Sequence, residues 1–275
     1  MPASLSFTRV MLRLARCLFA SVLAAFSLAA SAASVYIEEL TWTELRDQIQ
    51  AGTTTIIVPI GGTEQNGPAM VLGKHNVRAR VLAGRIATGL GHAVVAPTIA
   101  YVPEGAISPP VGHMRFTGTI SIPDAAFETT LEYAARSFRQ HGFKDIVFIG
   151  DHGGYQKNMV RVAAKLDKEW AATPVRVHAL QEYYQVLDTD YKQALKRKGM
   201  KDAEIGTHAG ALDTSLALAV DPQLVRADRL HSASLGAAEG VYGDPRPSTA
   251  EAGQLGVDLI VGRSIEAIKR HLARH

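Results

Sequence analysis

The sequence predicts an α/β fold, a three-layer α/β/α sandwich whose mostly parallel sheet is covered on both faces by helices. Three observations lead there. Four short apolar runs have the length and β-branched content of buried strands. Segments with apolar residues at helical spacing lie between them. No Ser/Gly/Pro linker, charge block or internal repeat divides the chain after residue 33, so 34–275 reads as a single domain. Strands alternating with helices imply right-handed βαβ crossovers.

In chain order, Thr55–Ile60 (TIIVPI) is the first strand and a helix follows from Val77 to Leu90. Ala93–Pro97 is the second strand, and Phe127, Leu131, Ala134 and Phe138 mark the face of the next helix. Asp145–Ile149 (DIVFI) is the third strand, and Met159, Val162, Leu166 and Trp170 mark a further helix. Val175–Ala179 is the fourth strand. A last helix carries Val261, Ile265, Ile268 and Leu272 at four-three-four spacing.

The chain is 275 residues long, 47% hydrophobic and 20% charged, which is too apolar for disorder. Its formal charge of +3 is carried by the first 33 residues, which hold Arg9, Arg13 and Arg16 and no acid. Beyond them bases and acids balance, so the footprint of a nucleic-acid binder is absent. Those same residues have an Arg-bearing start, an apolar run from Cys17 to Ala30 and the small residues Ser31-Ala32-Ala33. This is the pattern of a cleavable export signal, too short in its apolar run to span a bilayer. The mature protein is therefore expected to be periplasmic or secreted, with no membrane association after cleavage. Cys17, the one cysteine, leaves with the signal. Any metal must then be held by His, Asp and Glu.

Three loops concentrate glycine with histidine or a carboxylate. Pro59–Pro68 (PIGGTEQNGP), with Gly73–Asn76 (GKHN) after it, follows the first strand. Gly150–Tyr155 (GDHGGY) follows the third, and Thr207–Ser215 (THAGALDTS) opens an apolar helix. In parallel sheets, loops beyond the carboxyl ends of strands gather the chemistry. Glu64, His75, His152 and His208 are thus candidate metal ligands or acid/base groups.

These loops, with His113–Ile122 (HMRFTGTISI) and Gly240–Gly253 (GVYGDPRPSTAEAG), resemble in order the motifs of the creatininase (creatinine amidohydrolase) family. The resemblance implies an α/β/α sandwich, metal-dependent hydrolysis of C–N bonds outside ordinary peptides, and a homo-oligomer, commonly a hexamer. It also implies ligand positions, and here the chain departs from the family. Glu64 matches the Glu of the E-Q-H-G-P-H motif, but Asn66 stands where its first His belongs. His75 stands at the bridging Asp. His152 matches the His of the N-G-H-G-G-N motif, and His208 that of H-A-G-E. Ala211 replaces the Glu of the latter motif, and Gly154 cannot supply a ligand. A neutral imidazole offers one lone pair and does not readily bridge two ions. The expectation is a site contracted to one divalent metal on Glu64, His75 and His152, with Zn²⁺ favoured and Fe²⁺ or Mn²⁺ as alternatives.

On that reading a metal-activated water attacks the amide and His208 supplies the proton to the leaving nitrogen. Asp213 either orients His208 or a metal-held water, or is simply the acid at a helix N-terminus. Weaker candidates around the site are Asn66, His113, Asp151 as an acceptor orienting His152, and Tyr155 in the pocket wall. The expected partner is a small amide, cyclic or formyl/acyl and creatinine-like. The competing reading is a non-catalytic small-molecule-binding protein on the same scaffold. A serine hydrolase is excluded because no G-x-S-x-G elbow is present.

Overall fold

The computed structural model describes residues 34–231 and 235–273. The segment expected to be an export signal, 1–33, lies outside the described residues. From Val35 onward the chain forms one compact unit.

Four strands, β1 (Thr55–Ile60), β2 (Ala93–Val95), β3 (Asp145–Gly150) and β4 (Arg176–Ala179), make a wholly parallel sheet in the order β2-β1-β3-β4. Ten helices were found among the described residues; those that matter here are introduced as they are used. The first, α1 (Trp42–Gln50), starts in a capping box in which Thr41 Oγ1 accepts from Glu44 N and Glu44 Oε2 accepts from Thr41 N. Helix α2 (Lys74–Leu90) follows β1, α3 (Asp124–Gln140) precedes β3, and α4 (Gln156–Glu169) follows β3.

Alternation along the strands sorts the core into two layers. Ile57, Val95, Val147 and Ile149 face α2, through Leu82, Ala83 and Ile86. They also face Val257, Ile260 and Ile268 of the last helix, α10 (Ala250–Leu272). Ile56, Val58, Ile60, Ile146 and Phe148 face the other way, onto Phe127 and Leu131 of α3 and Met159, Val162 and Leu166 of α4. The sandwich is therefore three-layered, as expected. At about 25 cal/mol per Å² of buried apolar surface, these two layers are the main stabilising term of the fold.

The element boundaries differ in one way that bears on function. Helix α2 begins at Lys74 instead of Val77, which puts Lys74, His75 and Arg78 on its first turns. The apolar period alone could not show this, because those residues are polar yet buried. The stretch between β4 and Thr207 is also helical: α5 (Glu182–Val186) runs through a π-type turn at Leu187–Tyr191 into α6 (Lys192–Arg197), and α7 (Asp202–Ile205) follows. The helix after Thr207-His208 is α8 (Ala211–Val220). Among the described residues no helix is long and apolar enough to cross a membrane.

Strand order places the site. From β1 the chain turns onto the sheet face covered by α2, whereas from β3 it turns onto the opposite face, covered by α4. The loops leaving these adjacent strands diverge and open a crevice between their carboxyl ends. Glu64 lies on one loop, and Asp151 and His152 on the other.

Candidate active site

A cavity of about 400 Å³ opens in this crevice. Its walls include Lys74, Arg78, His113, His152, His208 and Asp213. Glu64 sits beneath them and is fully buried. Its Oε1 meets His75 Nε2 at 2.7 Å and lies 3.7 Å from His208 Nδ1. Its Oε2 has no hydrogen-bond partner and lies 3.5 Å from His113 Nε2 and 3.7 Å from His152 Nε2. Burial pushes the Glu64 carboxyl up, but the His75 hydrogen bond and the charges of His75 and Lys74 outweigh it and hold the group below the usual carboxylate range.

His75 is locked between two acids. Its Nε2 faces Glu64, and its Nδ1 meets Asp151 Oδ2 at 2.6 Å. Asp151, also buried, accepts from Arg78 Nε at 2.7 and 3.0 Å and from the Tyr183 hydroxyl at 2.8 Å. Burial alone would raise the Asp151 pKa; Arg78, His75 and Tyr183 bring it below its ordinary value. Arg78 reaches on to Asp213 Oδ1 at 3.0 Å, and Lys74 Nζ meets Asp213 Oδ2 at 2.9 Å while standing 4.0 Å from Glu64. Two buried cations from α2 thus interlock with two acids from elsewhere, Asp151 on the loop after β3 and Asp213 on the first turn of the helix that follows His208.

The turn carrying His208 is strained. Ala209 has φ 53°, a left-handed conformation unusual for a side-chain-bearing residue, and its N–H donates to Asp213 Oδ2. The loop is also paired to Tyr242, whose N–H donates to His208 O at 2.8 Å. His208 Nε2 donates to the Gln65 carbonyl at 2.9 Å, which leaves the Nδ1 lone pair facing Glu64. Burial and Lys74 push its pKa down to about 3, so the ring is neutral at pH 7. Burial likewise lowers His152 to about 4, against the opposing pull of Glu64. Gln65 fixes the remaining histidine. Its Oε1 accepts from Gly67 N, and its Nε2 donates to Gly240 O and to His113 Nδ1 at 2.8 Å. Gly240 adopts φ 76°, and a Cβ there would fall 2.0 Å from Gln65 Oε1, so only glycine fits.

The sequence-based candidates divide accordingly. Glu64, His152, His208 and His113 converge. His75 is adjacent, but both its nitrogens are committed to carboxylates, so the expected set of Glu64, His75 and His152 is not the one the geometry offers to an ion. Asp151 orients His75 and Arg78, not His152. Asp213 anchors Lys74, Arg78 and the Ala209 turn. Tyr155 does not line the cavity: it is fully buried, and its hydroxyl donates to Ile60 O and Gly61 O and accepts from His152 N, bracing the two loops from below. Asn66 is likewise a brace, donating to Glu64 O and Val71 O.

Sequence reasoning missed Lys74, Arg78, Gln65, Tyr183 and, above all, Glu104. The Glu104 side chain is buried, its two oxygens have no hydrogen-bond partner, and Oε2 lies 3.5 Å from His152 Nδ1. Burial, with the Glu64 charge adding to it, raises its pKa to about 9. The available signal was an acid directly after a buried strand and its loop, in Val102-Pro103-Glu104-Gly105. Two groups of side chains offer ligand atoms all within 4.8 Å of one another: Glu64 with His113 and His208, and Glu64 with Glu104 and His152.

A parallel α/β/α sandwich thus carries, at its switch point, a buried carboxylate ringed by histidines, a donor set able to hold a divalent ion. The chain belongs to the creatininase family: the model of that family, described as creatinine amidohydrolase, matches residues 38–268. It is 28% identical over 205 residues to a creatinine amidohydrolase of Pseudomonas putida, covering 72% of this chain and 76% of the relative. It is also 28% identical over 245 residues to a mycofactocin precursor peptide peptidase of Mycolicibacterium smegmatis, covering 81% and 87%. Among solved structures, a mutant creatininase described as of Zn-Zn type superposes with a TM-score of 0.69 at 26% identity, covering 86% of this chain and 98% of that one. By name, the two relatives are an amidohydrolase and a peptidase, both hydrolases of C–N bonds.

Proposed function

We propose that this chain hydrolyses a non-peptide C–N bond in a small cyclic or formyl/acyl amide, using one divalent metal, with zinc favoured. The observation that carries the reading is Glu64: a fully buried carboxylate with one orphaned oxygen, facing three histidines that line a cavity of about 400 Å³. An orphaned buried carboxylate oxygen is costly unless a cation or proton meets it, so the residues fit a metal ion, with Glu64 and His152 at the heart of the ligand set. Such an ion supplies Lewis acidity for the amide carbonyl and for the attacking water.

The chain's own groups account for the rest. His208 enters the reaction neutral and is therefore first a proton acceptor, through Nδ1. Water oxygen bonds to the carbonyl carbon, its proton passes to His208, and the C–N bond breaks as His208 returns that proton to the leaving nitrogen. The Lys74 ammonium, pinned by Asp213, lines the same cavity and is the cation available to stabilise negative charge on the carbonyl oxygen. The products are a carboxylic acid and an amine. The leading segment and the family resemblance support an exported protein that works as a homo-oligomer, without nucleic acid.

The test is amine release from a panel of creatinine, formamides and lactams, before and after chelation. Turnover lost with chelator and restored by Zn²⁺ supports the reading. A second reading, a small-molecule-binding protein without turnover, draws on Asn66, Ala211 and Gly154, which stand where the family carries ligands. It prevails if metal-loaded protein is inactive across the panel yet is thermally stabilised by one of its members.

A further inference from the structure

The third ligand of the metal centre is decided by two features, a carboxylate outside the family motifs and a histidine already committed to other partners. We propose that Glu104 joins Glu64 and His152 as a ligand, and that His75 is a positioning residue that holds Glu64 in place. The proposal rests on the metal-centre reading above and assigns its residues.

Glu104 comes from the loop after β2, a different segment from every motif that resembles the family. Its side chain is more than nine-tenths buried, and neither oxygen has a hydrogen-bond partner. Glu64 Oε2 is orphaned in the same way, and His152 stands between the two carboxylates, 3.5 Å from one and 3.7 Å from the other. Two buried carboxylates with orphaned oxygens thus flank one imidazole, and their ligand atoms with that of His152 all lie within 4.8 Å of one another, a gap suited to a cation.

The surroundings hold this arrangement open. The backbone N–H of Glu104 donates to Ser121 Oγ, which itself donates to Gly105 O, so the loop is clamped on both sides of the residue. Ile122 N adds a bond to Val102 O. Opposite, Gly62 has φ 146°, and a Cβ there would sit 2.7 Å from Glu104 Oε1. The first loop is thus hollowed where the Glu104 carboxyl enters.

His75 presents the opposite case. Its two nitrogens lie 2.7 and 2.6 Å from carboxylate oxygens, leaving no lone pair for an ion unless its bond to Glu64 breaks. The same bond uses Glu64 Oε1 and so leaves Oε2 as the ligand atom. This is the role of an outer partner that orients a ligand. Two carboxylates and one imidazole suit Zn²⁺, and they suit Mn²⁺ better than a histidine-rich set would.

The experiment uses the purified full chain, stripped with chelator and titrated with Zn²⁺ against a chromophoric competitor, with metal per chain and the Zn²⁺-dependent rise in Tm read alongside. The proteins compared are wild type, Glu104→Gln and His75→Asn. Glu104→Gln is near-isosteric and has no buried carboxyl to ionise, so it should keep or raise the metal-free Tm. The expected result is about one Zn²⁺ per wild-type chain and affinity weakened by more than about 100-fold in Glu104→Gln, with its Tm rise lost. His75→Asn should keep the stoichiometry and lose no more than the roughly 10–100-fold typical of outer partners. Wild-type affinity in Glu104→Gln, or loss of metal in His75→Asn alone, overturns the assignment and leaves the metal centre standing. A wild-type chain that takes up neither Zn²⁺ nor Mn²⁺ overturns both.

Discussion

Replacing Asp151 tests the electrostatic frame behind the cavity. The carboxylate accepts from Arg78 at 2.7 and 3.0 Å, from Tyr183 at 2.8 Å and pairs with His75 at 2.6 Å, all in the interior. Asp151→Ala leaves the Arg78 guanidinium buried with only Asp213 beside it, and orphans the Tyr183 hydroxyl. Removing one partner of a buried ion pair costs about 3–5 kcal/mol, and an unsatisfied hydroxyl adds about 1 kcal/mol or more. Because Asp213 still compensates part of the Arg78 charge, the expected loss is about 4 kcal/mol. For a domain of this size that lowers Tm by about 10 °C. Asp151→Asn keeps the shape and loses the charge, so it should fall between variant and wild type. The assay is urea unfolding followed by circular dichroism on chelator-treated protein. The pH dependence has a definite sign. The folded pKa of Asp151 lies below its unfolded value, so its contribution is complete above about pH 4 and is lost as pH falls through the folded value. The gap between wild type and Asp151→Ala should close on acidification. A loss under about 1 kcal/mol at pH 7 would refute the claim that Asp151 neutralises Arg78.

Three further outcomes are expected. In metal-free protein, His152 and His208 titrate at about 4 and about 3 when folded and near 6.5 when unfolded, whereas Glu104 titrates at about 9 when folded and near 4.5 when unfolded. From pH 4.5 to 6.5 the unfolded chain therefore binds a net one extra proton and stability rises by about 1.4 kcal/mol per pH unit; from 6.5 to 9 the folded chain binds one extra and stability falls as steeply. Urea midpoints across pH should peak near 6.5, with Glu104→Gln flattening the alkaline limb; a plateau from pH 6.5 to 9 contradicts the burial argument. Within α10, Gly253→Ala would place a Cβ 1.8 Å from the Ser215 carbonyl oxygen of α8 and should cost about 3 kcal/mol, while Gly262→Ala meets nothing within 4 Å and should gain about 0.5–1 kcal/mol. Thermal melts that fail to move in opposite directions would count against this helix contact. Finally, His152→Ala should lose the ion, whereas His208→Ala should keep it and lose about 10²–10⁴ in kcat; metal analysis showing both variants empty would make His208 a ligand.

The parts of the molecule that were legible in the sequence are those governed by short-range periodicity. The TIIVPI and DIVFI runs mark strands because both faces of a parallel sheet are dry, and the helices of both layers show their apolar stripes. Glu64, His152 and His208 stood out because glycine-rich turns after strands have few other uses. What escaped notice depends on tertiary placement. Lys74 sits in the loop before the predicted helix and Arg78 outside its apolar stripe, so neither signals burial until Asp213, 139 and 135 residues away, is brought against them. Tyr183 reads as core packing until its hydroxyl meets Asp151. Glu104 carries no motif, and only the packing of its loop against Gly62 turns it toward His152.

The first turn of α2 is charged against its own dipole. It has no acid and no side-chain cap on Gly73, and Lys74 with Arg78 just after it puts two cations where the partial positive charge of a helix N-terminus favours anions. Asp151 and Asp213 offset this from outside the helix, so the helix start is stable only inside the finished fold. Taken alone, the segment should be a poor helix, and its first turn is expected to form late in folding. The same conflict tells a protein engineer where stability is to be had: replacing Lys74 and Arg78 together with their two aspartates by apolar residues of matched volume should give a hardier protein with a dead site, since the charges that weaken this helix are the ones that set the field in the cavity.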